Sequence, residues 1–194
     1  MREGVLSTNP CDSATPPRTD TKERHAIDPA KVREFLGELG AGNDNDCAYL
    51  LAVCMGLRRG EVCGLSWGDV DFENMSLSVR RSLDITRTLK PTKTKAGNRI
   101  LPMPGLVADT LQKHKELQRK RFDKLNRNRR AHGSTSPSLE VTDDSPVIAG
   151  VSGERIDPAT LSRWWSGKRV SFGLEGVTFH ELRNTALSEI PTSA

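Results

Sequence analysis

Three clusters in this 194-residue chain carry side chains able to grip an anion or move a proton. They are GLRRGE at Gly56–Glu61, PTKTKAGNRILPMP at Pro91–Pro104 and TFHELRNT at Thr178–Thr185. In the first, Arg58 and Arg59 stand between the apolar run Cys47–Cys54 (CAYLLAVC) and the apolar Leu65 and Trp67. A guanidinium in such surroundings is costly to desolvate unless an anion meets it. One such anion is Glu61, which would make Arg58 a helix cap or a surface ion pair. The other is a phosphate, whose oxygens match the planar fork of arginine. In the third cluster His180 and Arg183 are three residues apart and would share a helix face. The second offers Lys93 and Lys95 as proton donors. A solvated turn lysine and a satisfied histidine at a helix start are the plain alternatives for Lys93 and His180. No cluster offers paired carboxylates for Mg²⁺ or a glycine-rich phosphate loop.

The elements that must position these residues are mostly helical. Asp28-Pro29 is an N-cap followed by proline, and Val32, Phe35, Leu36 and Leu39 recur at helical spacing up to Gly40. A second, largely apolar helix spans about Asp44 to Met55, Gly56 interrupts it, and a short helix follows near Gly60–Leu65. Asp71, Glu73 and Asn74 read as a turn, and Ser76–Ile85 alternates like a strand. Lys90–Asn98 reads as the next turn region and Arg99–Met103 as the returning strand. From Leu106 the pattern is helical again, with Val107, Leu111, His114 and Leu117 on one face. Its tail, Arg119–Arg130, is densely basic, either a solvated helix end or a contact to a phosphate backbone. Ser134–Asp144 is a polar loop, Pro146–Gly150 a short apolar piece, and Asp157-Pro158 starts a helix reaching about Arg169. Trp164 and Trp165 lie in that helix, and at least one belongs to the core. A last helix starts near Phe179. The fold class is mainly α with a small antiparallel β-sheet (α+β).

Composition narrows the function classes. Net charge is +4, a mild basic bias compatible with nucleic acid. No apolar run has membrane-spanning length, and the N-terminus lacks a signal-peptide core, so an intracellular protein is expected. Cys11, Cys47, Cys54 and Cys63 form no CxxC pair and do not cluster with His25, His114, His132 or His180, so no zinc site is expected. Residues 1–25, rich in Ser, Thr, Pro and charge, read as a linker or arm.

The three clusters, in this order, resemble the catalytic domain of the tyrosine recombinases, the phage-integrase family of site-specific DNA recombinases. The resemblance runs from about Ala26 to the end of the chain. The family's first arginine directly follows Gly-Leu and matches Arg58. Its KT-type turn, followed by an arginine and an apolar-Pro run, matches KTKAGNRILP, which makes Lys93 the family's lysine and Lys95 the second choice. Its HxxR box matches His180 and Arg183. The resemblance implies a recombinase catalytic-domain fold over 26–194, incomplete at its C-terminus, after a linker (1–25) from a separate DNA-clasping domain. It implies DNA integration and recombination through a 3′-phosphotyrosine, with Arg58 and Arg183 clamping the phosphate and Lys93 protonating the leaving 5′-oxygen. His180 assists proton transfer or hydrogen-bonds the phosphate, and Glu61 orients Arg58. No metal, ATP or other cofactor takes part. The implied partners are double-stranded DNA and further recombinase protomers in a tetrameric synapse, with no membrane, in the cytoplasm of a bacterium or of phage origin.

The sequence departs from the family at one decisive place. After HxxR the family carries a His- or Trp-containing box and then its tyrosine, a few tens of residues on. Here Ala194 lies eleven residues after Arg183, and the one tyrosine, Tyr49, lies upstream of Arg58 in an apolar helix. Tyr49 is expected to pack, with its hydroxyl bonded or at the surface. Asn184 is a smaller departure. The expectation is a fragment of a recombinase that cannot cleave DNA alone, or a DNA-binding remnant acting on intact recombinases.

Overall fold

The computed structural model describes residues 28–39, 43–91 and 97–183. Its helices are α1 (Pro29–Glu38), α2 (Asp44–Met55), α3 (Arg59–Gly64), α4 (Gly105–Ala131), α5 (Pro158–Lys168) and the first turns of α6 (179–183). Its strands are β1 (Val70–Asp71), β2 (Ser76–Val79), β3 (Arg81–Leu83), β4 (Leu89–Pro91) and β5 (Arg99–Pro102). The expected α+β class holds, with two small antiparallel sheets instead of one: β1-β2-β5 and β3-β4.

The helix starts follow from local chemistry. Asp28 accepts from the Ala30 amide at 2.9 Å and Asp157 from the Ala159 amide at 2.7 Å, each with proline opening the helix. Asn43 caps α2 through the Asp46 amide at 2.9 Å. Gly40, expected to close α1, lies outside the described residues.

Helix α2 is the axis of the core. Cys47 to Val53 are all buried, as a helix apolar on every side must be. Around it stands an aromatic cluster. Tyr49 meets the edge of Trp165 at 5.4 Å, and Phe35 meets Trp165 at 5.5 Å and Phe172 at 4.9 Å. Trp165 is the core member of the tryptophan pair, and Trp164 is only partly buried. The Tyr49 hydroxyl corrects expectation: it is buried and finds no hydrogen-bond partner among the described residues. Burial against nonpolar rings decides its place, not its polar tip.

Helix α4 packs on α2 with Val107, Leu111 and His114 on its inner face as expected, but the fourth position differs from the sequence reading. Leu117 is 45% exposed, and Gln118 is buried in its place. Two hydrogen bonds make that burial tolerable. Gln118 accepts from Trp67 Nε1 at 2.6 Å and donates to the Pro146 carbonyl at 3.1 Å. His114, also buried, bonds the Val147 carbonyl at 2.7 Å. These contacts bind the Pro146–Ala149 segment to α4. The basic stretch Arg119–Arg130 is helical throughout, and within it Arg121 pairs with Asp44 at 2.5 Å.

The hairpin also differs from expectation. Ser76–Ile85 is not one strand: the chain breaks at Arg80 between β2 and β3, and its tip is 84–88, earlier than the Lys90–Asn98 region. Asp84 causes the early turn. Its carboxylate accepts from the Thr86 amide (2.9 Å), the Thr88 amide (2.9 Å) and the Thr86 hydroxyl (2.7 Å), an Asx-type closure. Arg87 takes the left-handed conformation there, with φ 59°. Leu89–Pro91 is then already the return strand. Arg81 pairs with Pro91 and Val79 with Arg99, so the two sheets meet on either side of Arg80.

Helix α3 lies directly on β3. A Cβ on Gly60 would stand 2.6 Å from the Leu83 carbonyl oxygen, and one on Gly64 2.9 Å from that of Arg81. Glycines at i and i+4 permit a backbone approach that alanine would prevent.

Candidate functional site

The site is built around one carboxylate. Glu61, third residue of α3, is 3% exposed. It reaches back to the helix start, where its Oε2 accepts the Arg58 amide at 2.8 Å, half of a capping box. Its Oε1 accepts from Arg58 Nη1 at 3.0 Å. Arg99, the first residue of β5, adds Nη1 on Oε1 at 3.1 Å and Nη2 on Oε2 at 3.0 Å. Burial pushes the Glu61 carboxyl up, and the hydrogen bonds from Arg99 and Arg58 outweigh it, holding the carboxyl below its ordinary value. Glu61 is thus a fixed anion with two guanidiniums on it.

The cap and ion-pair reading of Arg58 is therefore correct as geometry, and it leaves the side chain available. Arg58 is 54% exposed, and only Nη1 of its guanidinium is bonded among the described residues. Gly56, left-handed at φ 62°, ends α2 and turns its carbonyl to Arg183, whose Nε donates to it at 2.8 Å. Residues 127 positions apart are thereby joined. Burial, and then the charges of Arg58 and Arg99, lower the Arg183 pKa, with Glu61 opposing. Arg183 remains a cation at neutral pH. Two arginines repelling each other beside one buried carboxylate leave excess positive charge for an incoming anion.

His180 is placed by its own local signal. Thr178 and Glu181 cap α6 reciprocally: the Thr178 amide donates to Glu181 Oε2 at 2.6 Å, and the Glu181 amide to Thr178 Oγ1 at 3.3 Å. His180 is exposed and is not a core histidine. It lines a cleft of about 680 Å³ together with Arg58, Arg59, Ser162 and Arg169. Arg59 ties α3 to α5 through the Ser162 hydroxyl at 2.6 Å. Lys93 and Lys95 lie outside the described residues, between Pro91 of β4 and Gly97.

Sequence reasoning gave no role to Arg99, which entered only as the arginine of KTKAGNRILP, and did not single out Arg169. Arg169 bonds the Val177 carbonyl at 3.0 Å and carries positive charge into the cleft. The available signal for Arg99 was a charged residue opening a strand beside apolar Ile100 and Leu101. Among the described residues, burial keeps the thiols of Cys47, Cys54 and Cys63 protonated. Burial pushes the Cys54 thiol up to about 11 and the Cys63 thiol to about 12. Among the described residues, no cluster of three His, Cys, Asp or Glu side chains could hold a metal ion, and no helix is long and apolar enough to cross a membrane.

A family model described as "Phage integrase family" matches residues 27–192, nearly the whole chain. The chain belongs to the phage integrase family. A "Tyrosine recombinase XerC-like" protein of Caldanaerobacter subterraneus is 27% identical over 97% of this chain and 50% of its own length. "Prophage integrase IntR" of Escherichia coli K12 is 35% identical over 55% of this chain and 26% of its own. The chain thus spans half or less of these relatives. Among solved structures, XerA recombinase superposes with a TM-score of 0.60 at 19% identity, over 89% of this chain and 50% of that one. DNA-bound lambda integrase (residues 75–356) superposes at 0.57 and 21% identity, over 95% and 57%. At these identities the structural matches establish the fold, a recombinase catalytic-domain architecture.

Proposed function

We propose that this family member supplies the phosphate-gripping part of a site-specific DNA recombinase, which integrates or exchanges DNA through a 3′-phosphotyrosine. One observation carries the reading. Glu61 and the Gly56 carbonyl bring Arg58 together with Arg183 and an exposed His180, though Arg58 lies more than a hundred residues before the other two. In the proposed reaction a tyrosine oxygen attacks the scissile phosphorus and the bond to the 5′-oxygen breaks. Arg58 and Arg183 hold the non-bridging oxygens, where negative charge grows most. Lys93, or Lys95 in its place, gives its proton to the leaving 5′-oxygen. His180 hydrogen-bonds the phosphate or passes a proton, and Glu61 orients Arg58. A 5′-hydroxyl attacking the phosphotyrosine reverses these steps and frees the phenol. The chain's own residues need neither a metal nor a nucleotide for this.

Tyr49 cannot be the nucleophile in this reading. It is fully buried among Phe35, Trp165 and Phe179. The attacking phenol comes from outside these 194 residues, whether from a further segment or another protomer. The same burial favours a second reading, in which the 194-residue chain binds DNA and modulates intact recombinases without cutting. Residues 1–25 are taken as an arm before the domain at 26–194, double-stranded DNA and further protomers in a tetrameric synapse as partners, and the bacterial cytoplasm as the place of action.

The test mixes the chain with a recombinase whose own catalytic arginines are changed to alanine, on a nicked substrate that traps covalent adducts. Restored adduct that disappears with Arg58→Ala supports the catalytic reading. DNA binding without restored adduct supports the second. Binding indifferent to Arg58→Ala and Arg183→Ala defeats both.

A further inference from the structure

Arg58 has to point one way to grip a phosphate, yet a half-exposed arginine paired at i,i+3 is weakly held by that pair alone. What keeps Glu61 in place is its second guanidinium. Arg99 puts one nitrogen on each carboxylate oxygen, at 3.1 and 3.0 Å, and so fixes the carboxylate plane as only a fork can. Arg58 takes the remaining positions on the same two oxygens. Arg99 is also the more enclosed of the two, 24% exposed against 54%. Its Nη1 has a further partner, the Gly97 carbonyl at 3.2 Å. Gly97 is where the chain re-enters the described structure after Lys93 and Lys95.

We infer that Arg99 is a positioning residue that sets the direction of Arg58 through Glu61 and secures, through the Gly97 carbonyl, the strand end joined to the Lys93–Lys95 segment. One arginine then serves both the carboxylate that places Arg58 and the strand end at Gly97. The inference rests on the recombinase reading of the site for the meaning of Arg58, but not for the geometry around Arg99. Lysine in place of Arg99 keeps the charge and loses the fork.

The experiment is a double-mutant cycle on the whole chain, reading affinity for a mixed-sequence DNA duplex at fixed low salt. Its variants are Arg99→Lys, Arg58→Ala and the pair. Arg99→Gln, which keeps two donors without a fork, is the second variant should lysine not fold. Hydrogen exchange is followed in parallel at residues 97–99 and in α2. The expected result is a loss of about fivefold for Arg99→Lys alone and none further in the Arg58→Ala background, the pattern of coupled neighbours. Exchange at 97–99 rises about tenfold while α2 is unchanged. Additive losses, no loss for Arg99→Lys alone, or unchanged exchange at 97–99 would overturn the inference. Acceleration spread equally through α2 would make Arg99 a fold residue only and overturn it too. If Arg58→Ala leaves affinity untouched, the recombinase reading of the site fails by itself. The exchange arm then decides whether Arg99 secures the strand end.

Discussion

The chain contains the same small device twice. In each, an acid three residues past a helix start is buried at about 3% exposure, accepts that start's amide and holds two arginines. Glu61 does this with Arg58 and Arg99. Asp69 does it for a 3₁₀ turn, accepting the Ser66 amide at 2.9 Å, Arg80 Nε at 2.8 Å and Arg81 Nη2 at 2.7 Å. The carboxyls share even their electrostatics. Burial raises Asp69, and the bonds from Arg81, Ser66 and Arg80 more than reverse it, as at Glu61. Their surroundings differ. The Asp69 arginines sit at the break between β2 and β3 and lock that corner. Of the Glu61 pair, Arg58 opens on a cleft where His180 stands, with Arg183 held nearby by Gly56. A buried acid with two arginines is thus a structural joint by default. It becomes a candidate anion site only where further cations converge on a free side chain.

The contrast can be broken by substitution. The largest effect is expected in the adduct assay with a partner recombinase. Arg58→Ala or Arg183→Ala should lower adduct formation by about 10²–10³-fold, the cost of losing one donor to developing charge. Arg80→Ala should leave it unchanged. Glu61→Ala and Asp69→Ala should destabilise comparably, by about 1–3 kcal/mol, because each removes the acceptor of a helix-start amide and of two partly exposed arginines. Thermal unfolding measures this as a fall of about 5 °C. DNA affinity of the folded fraction should drop for the Glu61 variant alone.

Acid should act on both devices alike. Their folded pKa values lie below the unfolded ones, so their stabilisation is complete above about pH 4.5 and is lost as pH falls through the folded values. Unfolding temperatures measured down through that range should fall, and Glu61→Gln should make the fall shallower. The smallest effect is expected for Tyr49→Phe. Its buried hydroxyl has no partner among the described residues, so its removal should leave stability unchanged or raise it by up to about 1 kcal/mol. Adduct formation should not change. Lost adduct would make Tyr49 chemically active and contradict its place in the core.

How much of this was legible in the sequence follows from how local each cause is. The starts of α1 and α5 are written in Asp-Pro pairs, and α2 in an unbroken apolar run. The hairpin tip was misplaced because the closing residue, Asp84, acts through side-chain bonds that alternation does not display. On the inner face of α4 only Leu117 was misplaced, because Gln118 is buried by partners from Trp67 and Pro146, remote in sequence. Arg58, His180, Arg183 and Glu61 were found by residue type and spacing, and the structure brings them together. Arg99 was missed because its partner lies 38 residues away and no periodicity marks the pair.

The central claim is that Arg58 and Arg183 grip one DNA phosphate. It is tested most directly by duplex affinity across a salt series, comparing the wild-type chain with Arg58→Ala/Arg183→Ala and with Arg80→Ala, each checked for folding. A shared phosphate clamp predicts that the double variant loses affinity by at least about tenfold, and that the slope of log affinity against log salt shrinks by about one. The Arg80 variant should follow the wild type. Equal slopes and affinities for all three proteins would contradict the clamp.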